Sequence, residues 1–237
     1  MHQEACEQAR RQSLFLDDRW EYHPDVVGDV FTGILNWNPC WKQVPDNEGR
    51  LAPRVTSAHH VHALMPDINL IVLMRDPIKK TLGLFRRLFK RSISWVTADV
   101  QAFNDEVSRE IAKFENCKTT LTMTNKQCVY HFIDNGEVDI ITQGIYHVFV
   151  EDYKNIFPAE NVIYMRFEEF KHDDNSTVEQ VLDFLCVPQQ KKNPNPVNDE
   201  GVELGIEMFN STRDMLREFF RPHNEQLQIQ IGTDFEW

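Results

Sequence analysis

The chain is poor in the features that mark several large protein classes. None of its 237 residues lie in a run approaching the roughly 18 apolar residues that cross a bilayer. The N-terminus, Met1-His2-Gln3-Glu4-Ala5-Cys6, is polar and lacks the apolar core of a secretory signal. Positive charge is in deficit: 25 Lys and Arg against 37 Asp and Glu leave a net charge of -12, which argues against a nucleic-acid binder. Five cysteines (Cys6, Cys40, Cys117, Cys128, Cys186) form no CxxC pair and no Cys/His metal spacing, so no metal is expected. Glycine is scarce, and none of the nine forms a Gly-rich loop followed by Lys, Ser or Thr, the usual cradle for a phosphate chain. No internal repeat or domain linker breaks the sequence, which suits a single domain over 1–237 with an ordinary 41% hydrophobic content.

Against this background one segment stands out. Ile68-Asn69-Leu70-Ile71-Val72-Leu73-Met74 is almost wholly apolar and stops at Arg75-Asp76-Pro77. Such a run reads as a strand over 69–74 buried on both faces. Pro77 suits the first turn of a helix, where its missing N–H costs nothing. The plan is strand, arginine, helix, and the carboxyl end of a parallel strand beside a helix N-terminus is where α/β sheets bind anions. Residues 75–91 strengthen the reading: Arg75, Lys79, Lys80, Arg86, Arg87, Lys90 and Arg91 face only Asp76. A solvated helix face is the ordinary explanation of such a cluster. Its position directly after the strand favours a phosphate site.

Other elements follow from periodicity. Val26, Val27, Val30, Phe31 and Ile34 have helical spacing, and Asn36–Arg50 reads as a loop. His59, His60 and His62 lack partner ligands at a metal-binding spacing and read as a surface helix turn. Val100, Phe103, Val107, Ile111 and Phe114 form an amphipathic stripe ending near Cys117. Ile145, Val148, Phe149 and Tyr153 mark a helix, residues 161–166 a second strand, and Val178, Val181, Leu182 and Leu185 another helix. A proline-containing loop at 187–205 precedes a last helix expected over Ile206–Phe220. Cys117 and Cys128 flank the polar segment Lys118–Gln127 and suit a disulfide in an oxidising compartment. The sequons at Asn175 and Asn210 lean the same way.

The order of these segments resembles sulfotransferases that use 3′-phosphoadenylyl sulfate. Leu70–Pro77 is similar to that family's 3′-phosphate motif, and Gln143-Gly144-Ile145-Tyr146 to its Gly-x-Tyr. Tyr153…Phe157 and Val162–Glu169 follow its next two motifs, and Phe184-Leu185-Cys186-Val187 its Phe-Leu-Gly-Leu helix end. The close, Phe219-Phe220-Arg221-Pro222-His223-Asn224…Leu227…Gly232…Trp237, resembles its C-terminal signature. Phe114–Cys117 with Cys128-Val129-Tyr130 is most similar to the Golgi branch that 6-sulfates N-acetylgalactosamine 4-sulfate in chondroitin.

The resemblance covers residues 51–237, with 1–50 irregular or divergent. It implies an α/β fold with a P-loop-like parallel sheet flanked by helices, lacking the usual N-terminal strand and phosphosulfate loop. It also implies a sulfuryl donor, a glycosaminoglycan acceptor, secretory-pathway residence and a Cys117–Cys128 bridge. Arg75, Lys80 and position 83 fall at the donor's 3′-phosphate. The family's serine eight residues after the arginine is Gly83 here, and the basic stretch before the last helix is reduced to Lys191 and Lys192. No residue matches the family's catalytic base, so none is assigned. Two functions follow: a carbohydrate sulfotransferase domain, or a truncated or degenerate relative that binds nucleotide or glycan without catalysis. The absent loop predicts little transfer by this polypeptide alone.

Overall fold

A computed structural model describes residues 35, 40–91, 100–134, 139–172, 174–187, 208–233, 235 and 237. The stripe at Val26–Ile34 and the proline-rich stretch with Lys191 and Lys192 lie outside the described residues, as do the side chains of Lys90 and Arg91. The helices and strands run in the order α1 (Ser57–Leu64), β1 (Leu70–Met74), α2 (Pro77–Arg91), α3 (Val100–Thr119), α4 (Asn125–Asp134), α5 (Tyr146–Ile156), β2 (Val162–Arg166), α6 (Phe167–His172), α7 (Asp174–Phe184) and α8 (Asn210–Ile231). β1 and β2 pair in parallel, with Leu70 opposite Val162 and Met74 opposite Arg166. This register brings the two carboxyl ends side by side, at Arg75 and Phe167.

The sheet departs from the expected burial on both faces. Val72 and Met74 pack on Tyr146, Val150 and Leu227, whereas Ile71 and Leu73 are 38% and 47% exposed. The apolar run predicts the strand correctly, but helices α5 and α8 cover only the alternate positions among the described residues. The largest core lies beside the sheet, where Trp41, Phe103, Phe114, Phe149 and Phe220 are each at most 1% exposed. Burying each such ring is worth roughly 1.5–3 kcal/mol, so this cluster carries much of the stability.

The last helix is the other correction. It spans Asn210–Ile231 and continues through Pro222. Pro222 stands on the exposed side while Phe219, Phe220, His223 and Leu227 are buried, and that packed face carries the helix past a residue that removes one backbone bond. The helix stops at Gly232, which adopts the left-handed φ of 71° that glycine tolerates best.

α3 and α4 are joined by the disulfide Cys117–Cys128, with Cα atoms 5.9 Å apart. The three histidines of residues 59–62 lie on α1, and no group of metal-ligating side chains occurs among the described residues. No helix of the described residues is long and apolar enough to cross a membrane.

Candidate functional site

The carboxyl ends of β1 and β2 are built from residues that lie far apart in the sequence. At the end of β1 the Arg75 carbonyl accepts a hydrogen bond from the Tyr146 hydroxyl at 2.9 Å. The next amide, Asp76 N–H, donates to Glu168 at 3.2 Å. Glu168 stands at the start of α6, so its carboxylate locks the two strand ends together. The requirement for a tyrosine after Gly144 and a glutamate after β2 is thereby structural.

Asp76 also decides what the helix terminus can do. Its carboxylate accepts from Ile78 N–H at 2.8 Å, and its carbonyl accepts the Lys80 N–H at 2.9 Å. This is an N-cap followed by proline at N1. The positive end of α2 is thus filled by the protein's own carboxylate. At this terminus Asp76 takes the Ile78 amide, and Lys79, 3.8 Å from both Asp76 and Glu168, is drawn to the same carboxylates.

Arg75 follows β1 directly. Arg75 is exposed, and its guanidinium lies 5.4 Å from the centre of the Phe167 ring, a cation–π arrangement that fixes its direction. Its Nη1 lies 3.7 Å from where a Cβ at Gly83 would stand. The arginine, just before α2, and position 83 are therefore neighbours about two turns apart along the chain. Arg86 is close enough that burial first, and the charge of Arg75 second, pull its pKa below the ordinary value. Two like charges at close quarters raise the local positive potential, and an anion between them would relieve it.

Lys80 does not join this pair. Its ammonium donates to the Gln143 carbonyl at 2.7 Å and lies 4.6 Å from the centre of the Tyr146 ring. Desolvation lowers its pKa to about 8, with Asp139 opposing the shift. Gln143 belongs to a short helical turn, Thr142–Gly144, wedged between α2 and α8. A Cβ on Gly144 would meet Phe220 at 2.8 Å and Pro77 at 3.2 Å, so only glycine fits there.

A separate groove of about 360 Å³ is lined by Asp76–Ile78, the exposed face of α8, Phe235 and Trp237. Its Arg217 and Arg221 each form a 2.7 Å ion pair along the helix, with Asp214 and Glu218. With Asp76, Glu218 and Glu225 also in the lining, it has no excess of positive charge and does not suit a donor's phosphates.

Comparison with known proteins places this architecture. The sulfotransferase domain family matches residues 1–200. The chain belongs to that family. The match starts at residue 1 and so takes in the region 1–50, which carries none of the motifs described above. Carbohydrate sulfotransferase 15 of Homo sapiens is 26% identical over 226 residues, covering 90% of this chain and 38% of that protein. The chain therefore spans well under half the length of that relative. Carbohydrate sulfotransferase 15 of Nototodarus sloanii is 26% identical over 161 residues, covering 62% of this chain and 98% of its own. Among solved structures, a sulfotransferase from Alicyclobacillus acidocaldarius superposes with a TM-score of 0.51 at 20% identity, covering 76% of this chain and 61% of that one. That likeness establishes the α/β fold alone.

Sequence reasoning singled out Arg75, Lys80 and Gly83 through the strand ending and the family motif, and of these Arg75 and position 83 lie together. It missed Glu110 and Asp139. Burial and the nearby Asp139 push the Glu110 carboxyl up to about 8, and burial raises Asp139 as well. Glu110 sits in register with Phe103, Val107, Phe114 and Cys117, all buried. A charge at a core position of the α3 stripe was the available signal.

Proposed function

We propose that this chain is a carbohydrate sulfotransferase domain that takes its sulfuryl group from 3′-phosphoadenylyl sulfate, with Arg75 as the ligand of the 3′-phosphate. The observation that carries the reading is the exposed Arg75 guanidinium, braced on Phe167 and reinforced by Arg86, at the carboxyl end of a parallel strand. The residues fit a phosphate there: the charge is accessible, and Gly83 leaves room beside it. Gly83 also lacks the hydroxyl that the family's serine would offer, which predicts weaker donor binding than in a serine-bearing relative.

In the reaction the acceptor hydroxyl forms a new O–S bond, the bond from sulfur to the donor's phosphate breaks, adenosine 3′,5′-bisphosphate leaves, and the hydroxyl proton passes to a base. This chain's described residues contribute position and positive charge, which supply much of the rate in such transfers. The carbohydrate relatives favour transfer over a purely binding role, and their similarity supports a glycan acceptor. The acceptor we assign is the 6-hydroxyl of N-acetylgalactosamine 4-sulfate in chondroitin or dermatan. Residence in the Golgi or secretory pathway accords with the Cys117–Cys128 disulfide.

The test is transfer of labelled sulfate to chondroitin 4-sulfate, followed by disaccharide analysis. We expect label at the 6-position of the 4-sulfated residue, in low yield because no Gly-rich phosphosulfate loop is evident in the sequence, and its loss in Arg75→Ala. Binding of adenosine bisphosphate without transfer to any glycan would refute the catalytic reading and support the binding one.

A further inference from the structure

We propose that Lys80 is a positioning residue of the donor site: it fastens the turn at Thr142–Gly144 to α2 and, through Tyr146, holds the main chain that presents Arg75. The inference rests on the reading of Arg75 as the 3′-phosphate ligand. Four contacts close a ring. The Lys80 ammonium donates to Gln143 O at 2.7 Å and lies over the Tyr146 ring at 4.6 Å. The Tyr146 hydroxyl donates to Arg75 O at 2.9 Å, and α2 returns the chain from Arg75 to Lys80 with Lys80 N–H on Asp76 O at 2.9 Å. Gly144 sits against Pro77 and Phe220 with no room to spare, so a shift of the turn must move the first residue of α2.

The counter-charge for Lys80 lies inward. Asp139 accepts from Ile141 N–H at 3.0 Å and Thr142 N–H at 2.8 Å, which makes it the cap of the same turn. Glu110, fully buried, accepts from Ile140 N–H at 3.3 Å and from Arg109 at 3.0 Å. Of the two carboxyls, Asp139 is the one whose charge opposes the lowering of the Lys80 pKa. With one donor on a carbonyl and one face on a ring, Lys80 is committed to the fold's interior. Its role toward the donor is indirect.

A double-mutant cycle separates this from direct phosphate contact. Calorimetry would give the affinity of the whole chain for adenosine 3′,5′-bisphosphate in the unmodified protein, Lys80→Met, Tyr146→Phe and the pair. We expect each single change to weaken binding about tenfold and the pair to weaken it little further, since both break one linkage. Multiplied losses, near a hundredfold, or an unaltered affinity in Lys80→Met, would overturn the proposal. Amide hydrogen exchange without ligand gives a second readout. Lys80→Met should accelerate exchange in residues 74–77 as well as 140–146, and leave 210–231 unchanged. Acceleration confined to 140–146 would also overturn it. Should the unmodified chain bind no bisphosphate, the donor reading fails, and the exchange result alone still decides the role of Lys80.

Discussion

Single side chains carry most of what distinguishes this fold member, and the buried histidines set its response to acid. His147 Nε2 and His223 Nδ1 lie 3.0 Å apart with their rings stacked at 11°. One nitrogen must donate and the other accept, so the contact is lost once both rings are protonated. Burial lowers His147 to about 4, and burial with the charges of His147 and Lys118 lowers His223 to about 3. Both values fall below the unfolded value of 6.5, so the unfolded chain binds more protons throughout the window between them. Stability is full above about pH 6.5 and is lost as pH falls toward the folded values. Urea unfolding should show a loss of about 3–4 kcal/mol between pH 7 and 5 for the two rings together. The His147→Gln/His223→Gln variant should be flatter over that range. Parallel profiles for the two proteins would assign the acid sensitivity to other groups.

Among the elements, the α3–α4 pair depends on a covalent tie. Cys117 ends the buried stripe of α3, Cys128 begins that of α4, and ten residues separate them in the sequence. Closing a loop of this size stabilises by about 2–4 kcal/mol. For a chain of this length, Cys117→Ser/Cys128→Ser should melt about 5–15 °C lower. An unchanged melting temperature, or free thiols at both positions in peptide maps of secreted protein, would contradict the assignment. How far such elements can be read from sequence depends on whether their cause is local. β1 was legible because an apolar run followed by Arg75-Asp76-Pro77 contains its own stop. The end of α8 was misread at Phe220, because Pro222 is a local breaker whereas the face carried by His223 and Leu227 is tertiary. The links from Tyr146 to Arg75 and from Lys80 to Gln143 join residues 71 and 63 positions apart, and nothing local signals them.

At the scale of the whole molecule, the family motifs converge on one place. Glu168 holds Asp76, Tyr146 holds Arg75, and Gly144 admits Phe220 and Pro77, so residues scattered from 75 to 220 fix one strand end. The chain's net charge of -12 does not preclude an anion site there, since Arg75 is exposed and close enough to Arg86 to influence its pKa. The proposed role of Arg75 is recognition of a 3′-phosphate. Calorimetric affinities for adenosine 3′,5′-bisphosphate and adenosine 5′-phosphate, compared in the unmodified chain and in Arg75→Ala, test it most directly. The unmodified chain should prefer the bisphosphate by at least about tenfold, the scale of one charge-assisted contact, and Arg75→Ala should bind both equally. A preference that survives the loss of Arg75 would contradict it.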